Sequence, residues 1–251
     1  MKLINKLNVL TAYEWIEENI VSVDFENWNG GRVGNLIPNG YTHYCKIMNS
    51  TFYRDQSIQD ETLFWSQLHP LHEIEMDLGE GITLKELATK YDISYDNKIS
   101  SKAIAKKLGG CPRYLIYPDE GCINLDVLKE ITKVLAPFTK NKTCYFFYHI
   151  LKLIGRIPED DVENGHLYTG KLNDIFTIYN KGEMDGLASP TYWWPEDRSW
   201  CLSTDYDLDF TIFGGSKQLF DVLMSNDKLE CIEVDLETRI DEYDYIVFIL
   251  K

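Results

Sequence analysis

The densest group of chemically capable side chains runs from Tyr192 to Trp200, with the sequence YWWPEDRSW. Three of the chain's six tryptophans lie there and flank the charged pair Asp197 and Arg198. Aromatic faces beside carboxylates can hold a sugar or an organic cation, and a guanidinium can bind a carboxylate through two parallel hydrogen bonds. Five residues are therefore candidates for ligand binding. They are Trp193, Trp194, Asp197, Arg198 and Asp205.

The same residues also have a structural interpretation. Large aromatic side chains anchor protein cores, and a turn rich in charge is often held by its own ion pairs. Under this alternative Trp193 and Trp200 are core residues, while Asp197 and Arg198 hold a loop in place.

A second pattern consists of the alternating carboxylates Asp205, Asp207 and Asp209. The first three carboxylates of a calcium-binding EF-hand loop alternate in the same way. The later positions of that loop do not match, because Phe210 stands where glycine is required and Ser216 where glutamate is required. We expect a solvated turn between two strands, no metal site and no cofactor.

The other metal-ligand and nucleophile residue types form no recognised motif. His69 and His72 lie close to Glu73, but their spacing is not HExxH and Pro70 disfavours a helix through the pair. The chain also lacks a GxSxG motif, a Walker loop and a GxGxxG motif. Whether the protein is an enzyme is left open, since a site assembled from distant residues carries no such signature.

The segment Leu84–Leu108 resembles a helix-turn-helix and has six lysines against three acidic residues. Asp92 occupies the position where that motif usually has glycine, and the second helix begins several residues too late. The whole chain carries a net charge of -15, which repels phosphate backbones. We therefore expect two packed amphipathic helices and no nucleic-acid binding.

The elements predicted to position these residues are strands and helices that follow one another in no regular βαβ order. Helices are predicted from Leu84, from Ser100 or Ser101 to Gly109, from Asn124 to before Pro137, and after Gly214–Ser216. The predicted strands are Tyr41–Met48, Cys144–Ile150, Ile175–Tyr179, Trp200–Tyr206, Phe210–Phe213, Leu229–Val234 and Tyr245–Leu250. This order favours an α+β fold, with a mixed, largely antiparallel sheet and amphipathic helices packed on it.

The length of 251 residues and the hydrophobic fraction of 44% are sufficient for one large core or two small ones. We expect a single compact domain over residues 1–251, with lobes at 1–139 and 140–251 as a subdivision. The segment Pro158–Gly165 combines turn residues with four acids and is predicted to be an exposed loop.

Charge and cysteine content indicate where such a chain works. The 40 acidic residues exceed the 25 basic ones, which favours a cationic partner and argues against binding to anionic lipid surfaces. The N-terminal segment does not resemble a signal peptide, and no run of about 18 apolar residues occurs. The six cysteines are scattered without a CxxC pair, so we expect a reduced, cytoplasmic protein.

Several segments together resemble an uncharacterised bacterial protein family that is common in actinobacteria. They are Gly40-Tyr41 with Tyr44, Leu68-His69-Pro70, Leu135-Ala136 with Thr139, Cys144-Tyr145-Phe146 and Ser189–Ser216. The resemblance implies that Trp194, Pro195, Asp197, Arg198, Trp200, Asp205 and Gly214–Ser216 belong to a shared pattern, without assigning them a role. The lysine-rich helical segment departs from that pattern.

Two hypotheses for function follow. The first is a non-enzymatic interaction protein that binds a basic protein through an acidic surface, as acidic immunity proteins neutralise nuclease-type toxins. The expected acids are Glu159, Asp160, Asp161, Glu163, Glu233, Asp235, Glu237, Asp241, Glu242 and Asp244. The alternative is a small-ligand or carbohydrate-binding protein or enzyme that uses the segment from Trp193 to Trp200, with Asp197 and Asp205 as an acid-base pair. The sequence does not indicate an oligomeric state.

Overall fold

The computed structural model describes residues 2–3, 6–23, 30–67, 75–149, 166–179 and 189–240. The chain divides into two compact units. The large unit comprises residues 1–49 and 120–251, and the small unit comprises residues 50–119. None of the helices in the described ranges has both the length and the apolar character needed to cross a lipid bilayer.

Within the residues that the structure describes, each unit contains one antiparallel sheet. The strands are β1 (Lys2–Leu3), β2 (His43–Met48), β3 (Phe52–Asp55), β4 (Leu78–Ile82), β5 (Leu115–Ile116), β6 (Cys144–Tyr148), β7 (His166–Gly170), β8 (Tyr192–Pro195), β9 (Trp200–Thr204), β10 (Phe210–Gly215) and β11 (Cys231–Val234). The large unit has the order β1-β7-β6-β8-β9-β10-β2-β11, and the small unit has β4-β3-β5.

Six α-helices accompany these strands in the described ranges. They are α1 (Lys6–Glu17), α2 (Leu84–Lys90), α3 (Ser101–Leu108), α4 (Leu125–Thr139), α5 (Phe176–Tyr179) and α6 (Lys217–Met224). Every strand pairing described is antiparallel. The α+β class predicted from the sequence is therefore confirmed.

The main core lies between one face of the large sheet and helices α4 and α6. A row of directly opposed residues crosses β6, β8, β9 and β10, and it contains Phe146, Trp193, Leu202 and Phe213. Directly opposed residues of neighbouring antiparallel strands point to the same face, so these four side chains form one apolar surface. The helices cover it with Leu128, Ile131, Leu135, Leu219 and Leu223. Burial of one such side chain contributes about 1.5 to 3 kcal/mol.

Helix α1 packs against aromatic residues of the large unit's sheet. The ring of Tyr13 stacks on Phe147 at 4.3 Å between centroids, and Trp15 meets Trp194 edge-on at 5.7 Å. Phe147 and Trp194 belong to adjacent strands, so helix α1 bridges them. The sequence patterns above did not predict this helix.

Local sequence signals located several helix ends correctly. Helix α2 begins at the capping box of Thr83 and Glu86, in which each side chain accepts a hydrogen bond from the other residue's backbone N–H. Helix α3 ends at Gly109, which adopts the left-handed conformation with φ of 76°. Ser216 caps α6 as expected, although Gly214 and Gly215 before it belong to β10.

Two element predictions are wrong. Helix α4 continues past Pro137 to Thr139. The helix tolerates this exposed proline because it lies in the last turn, where only two helical residues follow it. Residues 175–179 are helical rather than extended. There the Asp174 carboxylate accepts a hydrogen bond from the Lys171 N–H at 2.8 Å and starts a helical turn that buries Leu172 and Ile175.

Some predictions lie outside the described residues. They are the loop at 158–165, the strand at 245–250, and the residues His69, His72 and Glu73.

The bounds of the two units differ from those of the expected lobes, 1–139 and 140–251. The single domain expected over residues 1–251 stays a prediction.

A buried carboxylate organises the small unit. Asp55 at the end of β3 is 1% exposed, and its Oδ1 accepts hydrogen bonds from the Ser57 N–H, the Ser57 hydroxyl and the Asp77 N–H at 3.0, 2.7 and 3.1 Å. Burial tends to raise the pKa of Asp55, but these hydrogen bonds outweigh it and hold the pKa below its ordinary value. The charged form is thus the one that the fold stabilises.

Acid should weaken this interaction. A carboxyl whose pKa is lower in the folded state stabilises the fold above its unfolded pKa of about 3.9, and the contribution is lost as pH falls through the folded value. We expect the unfolding free energy of the wild type to fall more steeply below about pH 4 than that of Asp55→Asn. Denaturant unfolding at several pH values measures this difference, and parallel curves would contradict it.

Candidate functional site

The tryptophan-rich segment forms two strands joined by a short turn. Trp193 and Trp194 lie in β8 and Trp200 lies in β9, so only residues 196–199 connect them. Trp193 and Trp200 have no exposed surface and Trp194 is 2% exposed. The segment therefore contributes its tryptophans to the interior of the large unit.

Other side chains pack around these three buried rings. The Trp200 Nε1–H donates to the Thr139 hydroxyl at 3.1 Å, and its ring meets Trp193 edge-on at 5.6 Å. Trp194 stacks on Tyr145 at 5.4 Å and meets Trp15 on another side. A sugar or an organic cation needs an exposed aromatic face, and packing covers these.

The charged residues of the turn have partners within the protein. Lys142 forms an ion pair with Asp197, whose other oxygen accepts a hydrogen bond from the Ser199 hydroxyl at 2.9 Å. Partial burial tends to raise the pKa of Asp197, but the hydrogen bonds from Lys142 and Ser199 hold it below its ordinary value. Asp197 is thus ionised at neutral pH and has the properties of a structural anchor.

Arg198 fixes the same turn from the other side. Its backbone is left-handed, with φ of 53°, and its N–H donates to the Pro195 carbonyl at 2.8 Å. The guanidinium lies 4.8 Å from the centre of the Trp15 ring, while the Arg198 carbonyl accepts a hydrogen bond from the Tyr41 hydroxyl at 3.2 Å. The side chain remains exposed, so it can still reach a ligand while stacking on tryptophan.

Asp205 lies at the opposite end of β9 from Asp197 and Arg198. The five residues of β9 separate the two turns by about 13 Å. A glycosidase pair needs its carboxyl groups about 5 to 10 Å apart, so this geometry does not support acid-base work by Asp197 and Asp205 together. The ligand-binding role of the five candidate residues stays a prediction.

The turn that contains Asp205 has a different character. Tyr206 is 58% exposed, the largest value among the exposed large hydrophobic side chains in the described ranges. Asp205 and Asp207 flank it, and the Asp207 N–H donates to the Asp205 carboxylate at 2.9 Å. The N–H of Gly121 donates to the Leu208 carbonyl at 2.9 Å. The residue before it, Glu120, is therefore close to this turn in the fold. We call Glu120, Asp205, Tyr206 and Asp207 the acidic turn.

A buried polar network fixes the acidic turn to the sheet. Asn49 has no exposed surface; its side-chain amide donates to the Leu208 carbonyl at 3.2 Å, and its Oδ1 accepts from the Thr211 hydroxyl at 2.7 Å. Thr211 in turn shares a hydrogen bond with Thr204 at 2.9 Å, which links β9 to β10. The acidic turn is therefore held at both strands.

Part of this site escaped the sequence patterns. Asp205 and Asp207 were identified as an acidic turn, but Tyr206 and Glu120 were not connected with it. Glu120 is 85 residues from Asp205 along the chain, so only the tertiary fold brings them together. Asp119, Glu120 and Gly121 are residue types that favour a turn, but such a local pattern does not indicate which distant segment lies beside the turn.

The acids expected near the C-terminus are partly used within the fold. Glu237 forms an ion pair with Arg32 at 2.8 Å, and the Asp235 carboxylate accepts from the Thr238 hydroxyl at 2.9 Å. Glu233 on β11 is exposed. The remaining expected acids, at 159–163 and 241–244, lie outside the described residues.

Gly121 should be sensitive to substitution. Its φ is 74°, and an added Cβ would lie 2.8 Å from the Tyr206 Cα, which is a backbone atom that cannot rotate away. We expect Gly121→Ala to cost about 1 to 3 kcal/mol in unfolding free energy. Gly109→Ala is the matched control, since its φ is 76° but nothing lies within 4 Å of the added Cβ. Equal losses of unfolding free energy in the two variants would show that the added Cβ at residue 121 does not clash with the Tyr206 backbone.

No group of three or more His, Cys, Asp or Glu residues in the described part of the chain is arranged to hold a metal ion. No family model, curated protein or solved structure matches the chain. The resemblance to an actinobacterial family thus stays a prediction that rests on the quoted motifs.

Proposed function

We propose that this protein is a non-enzymatic interaction protein that binds a cationic protein partner through the acidic turn. The observation that carries the proposal is the exposure of Tyr206 between Asp205 and Asp207, with Glu120 brought near them by the contacts of the adjacent Gly121. An immunity-like neutralisation of a basic toxin in the bacterial cytoplasm is the form of this function that we favour. The six cysteines all lie in the described ranges and none forms a disulfide bond there, in keeping with a reducing compartment.

The composition of the acidic turn suits recognition of a basic surface. Tyrosine is enriched among residues that dominate binding energy, because its ring buries a large area at little cost in side-chain entropy. Acids around it attract lysine and arginine side chains, and the net charge of -15 adds long-range attraction. Since the Debye length is about 8 Å at physiological salt, association should slow as salt rises.

The rigidity of the turn supports the same function. The Leu208 carbonyl, directly after Asp207, accepts hydrogen bonds from the Asn49 side chain and the Gly121 N–H. The Asp205 carboxylate accepts a hydrogen bond from the Asp207 N–H. A surface that is already ordered loses less conformational entropy when a partner binds. The acidic turn can thus present Tyr206 without rearrangement.

Titration with an oligolysine peptide tests the proposal. We expect amide chemical shifts to change mainly at residues 120–121 and 205–208 in a two-dimensional NMR spectrum. Glu120→Lys with Asp207→Lys should weaken binding at least about fivefold, because each reversal replaces an attraction by a repulsion. Tyr206→Ala should weaken it by a similar factor through the lost ring contact.

A matched control separates local from global charge. Glu18→Lys with Asp227→Lys changes the net charge equally at two exposed acids of the large unit that are not part of the acidic turn. This control should weaken oligolysine binding less than about twofold. Equal losses of oligolysine affinity in the two double variants would contradict the proposal, and so would chemical-shift changes spread evenly over the surface.

The alternative function, binding of a small ligand or carbohydrate at the segment from Trp193 to Trp200, has less support. The tryptophan faces are packed against other side chains, and Asp197 is paired with Lys142. The segment does keep Glu196, Asp197 and Arg198 exposed, so it could offer a ligand charged groups but no open tryptophan face.

A further inference from the structure

Strand β4 lies at one edge of the small sheet. It pairs with β3 at Phe52 opposite Ile82 and Tyr53 opposite Gly81, and in the part of the chain described here no strand pairs with its other side. An edge strand presents a row of backbone N–H and C=O groups that can pair with another extended segment.

The chain just before β4 continues beside β3. The Asp77 N–H donates to the Asp55 carboxylate, and the Asp77 carbonyl accepts from the Gln56 N–H at 2.7 Å. The pairing with β3 therefore extends one residue before β4, to Asp77, and we call residues 75–82 the β4 edge. Its position is fixed by the buried Asp55.

The β4 edge exposes apolar side chains. Met76 is 48% exposed and Leu78 is 49% exposed, and they are two of the six exposed large hydrophobic residues in the described ranges. Both lie where β4 begins, Leu78 as its first residue and Met76 two residues before it. An added strand could thus cover both side chains while pairing with the backbone.

The charge of the β4 edge selects the occupant. Glu75, Asp77 and Glu80 are exposed, and the segment 75–82 contains no lysine or arginine. A second copy of this edge would bring like charges together across the strands, which is destabilising, whereas a basic strand would bring opposite charges together. Charge complementarity therefore favours a cationic segment over self-association.

We infer that the β4 edge docks an extended, lysine- or arginine-rich segment of the protein partner, which adds to the small sheet as a further strand. The inference rests on the proposed function for the cationic nature of the partner. It adds a second surface and a backbone-pairing mode, neither of which the acidic turn requires.

The test uses a blocked seven-residue peptide of alternating lysine and valine. The comparison peptide has the same sequence with N-methyl groups on two adjacent central amides, so that both of its edges are blocked. We expect the first peptide to shift and protect amides at 75–82, and the methylated peptide to bind at least about fivefold more weakly. The charge is identical, so a difference reports backbone pairing.

Two double variants test the side chains. Glu75→Lys with Glu80→Lys should weaken the unmethylated peptide at least about fivefold, and Met76→Ser with Leu78→Ser should also weaken it. All four residues are exposed, and the variants avoid Gly79 and Gly81, where Gln56 and Thr51 pack closely. Glu18→Lys with Asp227→Lys is again the charge-matched control. Thermal melting verifies that each variant folds.

Three results would overturn the inference: equal binding of both peptides, no response at 75–82, or equal losses in the edge and control charge variants. The proposed function fails separately, when oligolysine produces no local response at the acidic turn. The two failures are thus distinguishable, because they are read from amides of different units.

Discussion

Replacing Trp200 by alanine is expected to lower the unfolding free energy of the large unit by about 3 to 5 kcal/mol, the usual cost of truncating a buried aromatic side chain. Trp200 has no exposed surface, packs edge-on against Trp193 and donates its indole N–H to Thr139. The substitution therefore removes apolar contacts and leaves the Thr139 hydroxyl without that donor. Denaturant unfolding measures the loss.

Tyr206→Ala is the matched control for this prediction. It also truncates a large aromatic residue in the large unit, but the side chain is 58% exposed. Its cost should stay below about 1 kcal/mol, as is usual for surface substitutions. An unchanged midpoint for Trp200→Ala would show that the ring is not part of the core, and it would favour the ligand-binding interpretation of the segment.

Elements with strong local signals were predictable from the sequence. The capping box at Thr83 and Glu86 fixes a helix start through hydrogen bonds within four residues, and Gly109 fixes a helix end through its own backbone freedom. The run Cys144–Tyr148 is rich in aromatic residues that suit a buried strand, and it forms β6. In each case the determining interaction is local or is built into the residue type.

Elements decided by tertiary contacts were not predictable in the same way. The aromatic and β-branched residues at 175–179 favour a strand by propensity, yet Asp174 starts a helical turn and the core accepts Leu172 and Ile175 three residues apart. Helix α1 escaped prediction, and its packing depends on Phe147 and Trp194 far along the chain. Propensity is a weak guide when burial on a sheet decides the outcome.

The same distinction between local signals and tertiary contacts applies to the candidate sites. Composition identified the tryptophan segment as unusual, but whether Trp193 and Trp200 bind a ligand or fill a core depends on what covers them. The covering groups include Thr139 for Trp200 and Phe146 for Trp193, about 50 to 60 residues away in sequence. Likewise, the sequence showed the acids at 205 and 207, whereas the approach of Glu120 and the exposure of Tyr206 are properties of the folded chain.

Replacing Asn49 by alanine should link stability to recognition. The substitution removes hydrogen bonds to the Leu208 carbonyl and the Thr211 hydroxyl in a fully buried position, so we expect a loss of about 2 to 3 kcal/mol and a weaker oligolysine response at the acidic turn. Thr204→Val is the control, because it removes a hydroxyl of the same network but leaves the bond between Asn49 and Leu208. Its stability should fall while its oligolysine binding stays close to that of the wild type, as measured by denaturant unfolding and NMR titration. If both variants lose stability and bind oligolysine equally well, Asn49 holds the strands together but does not position the turn.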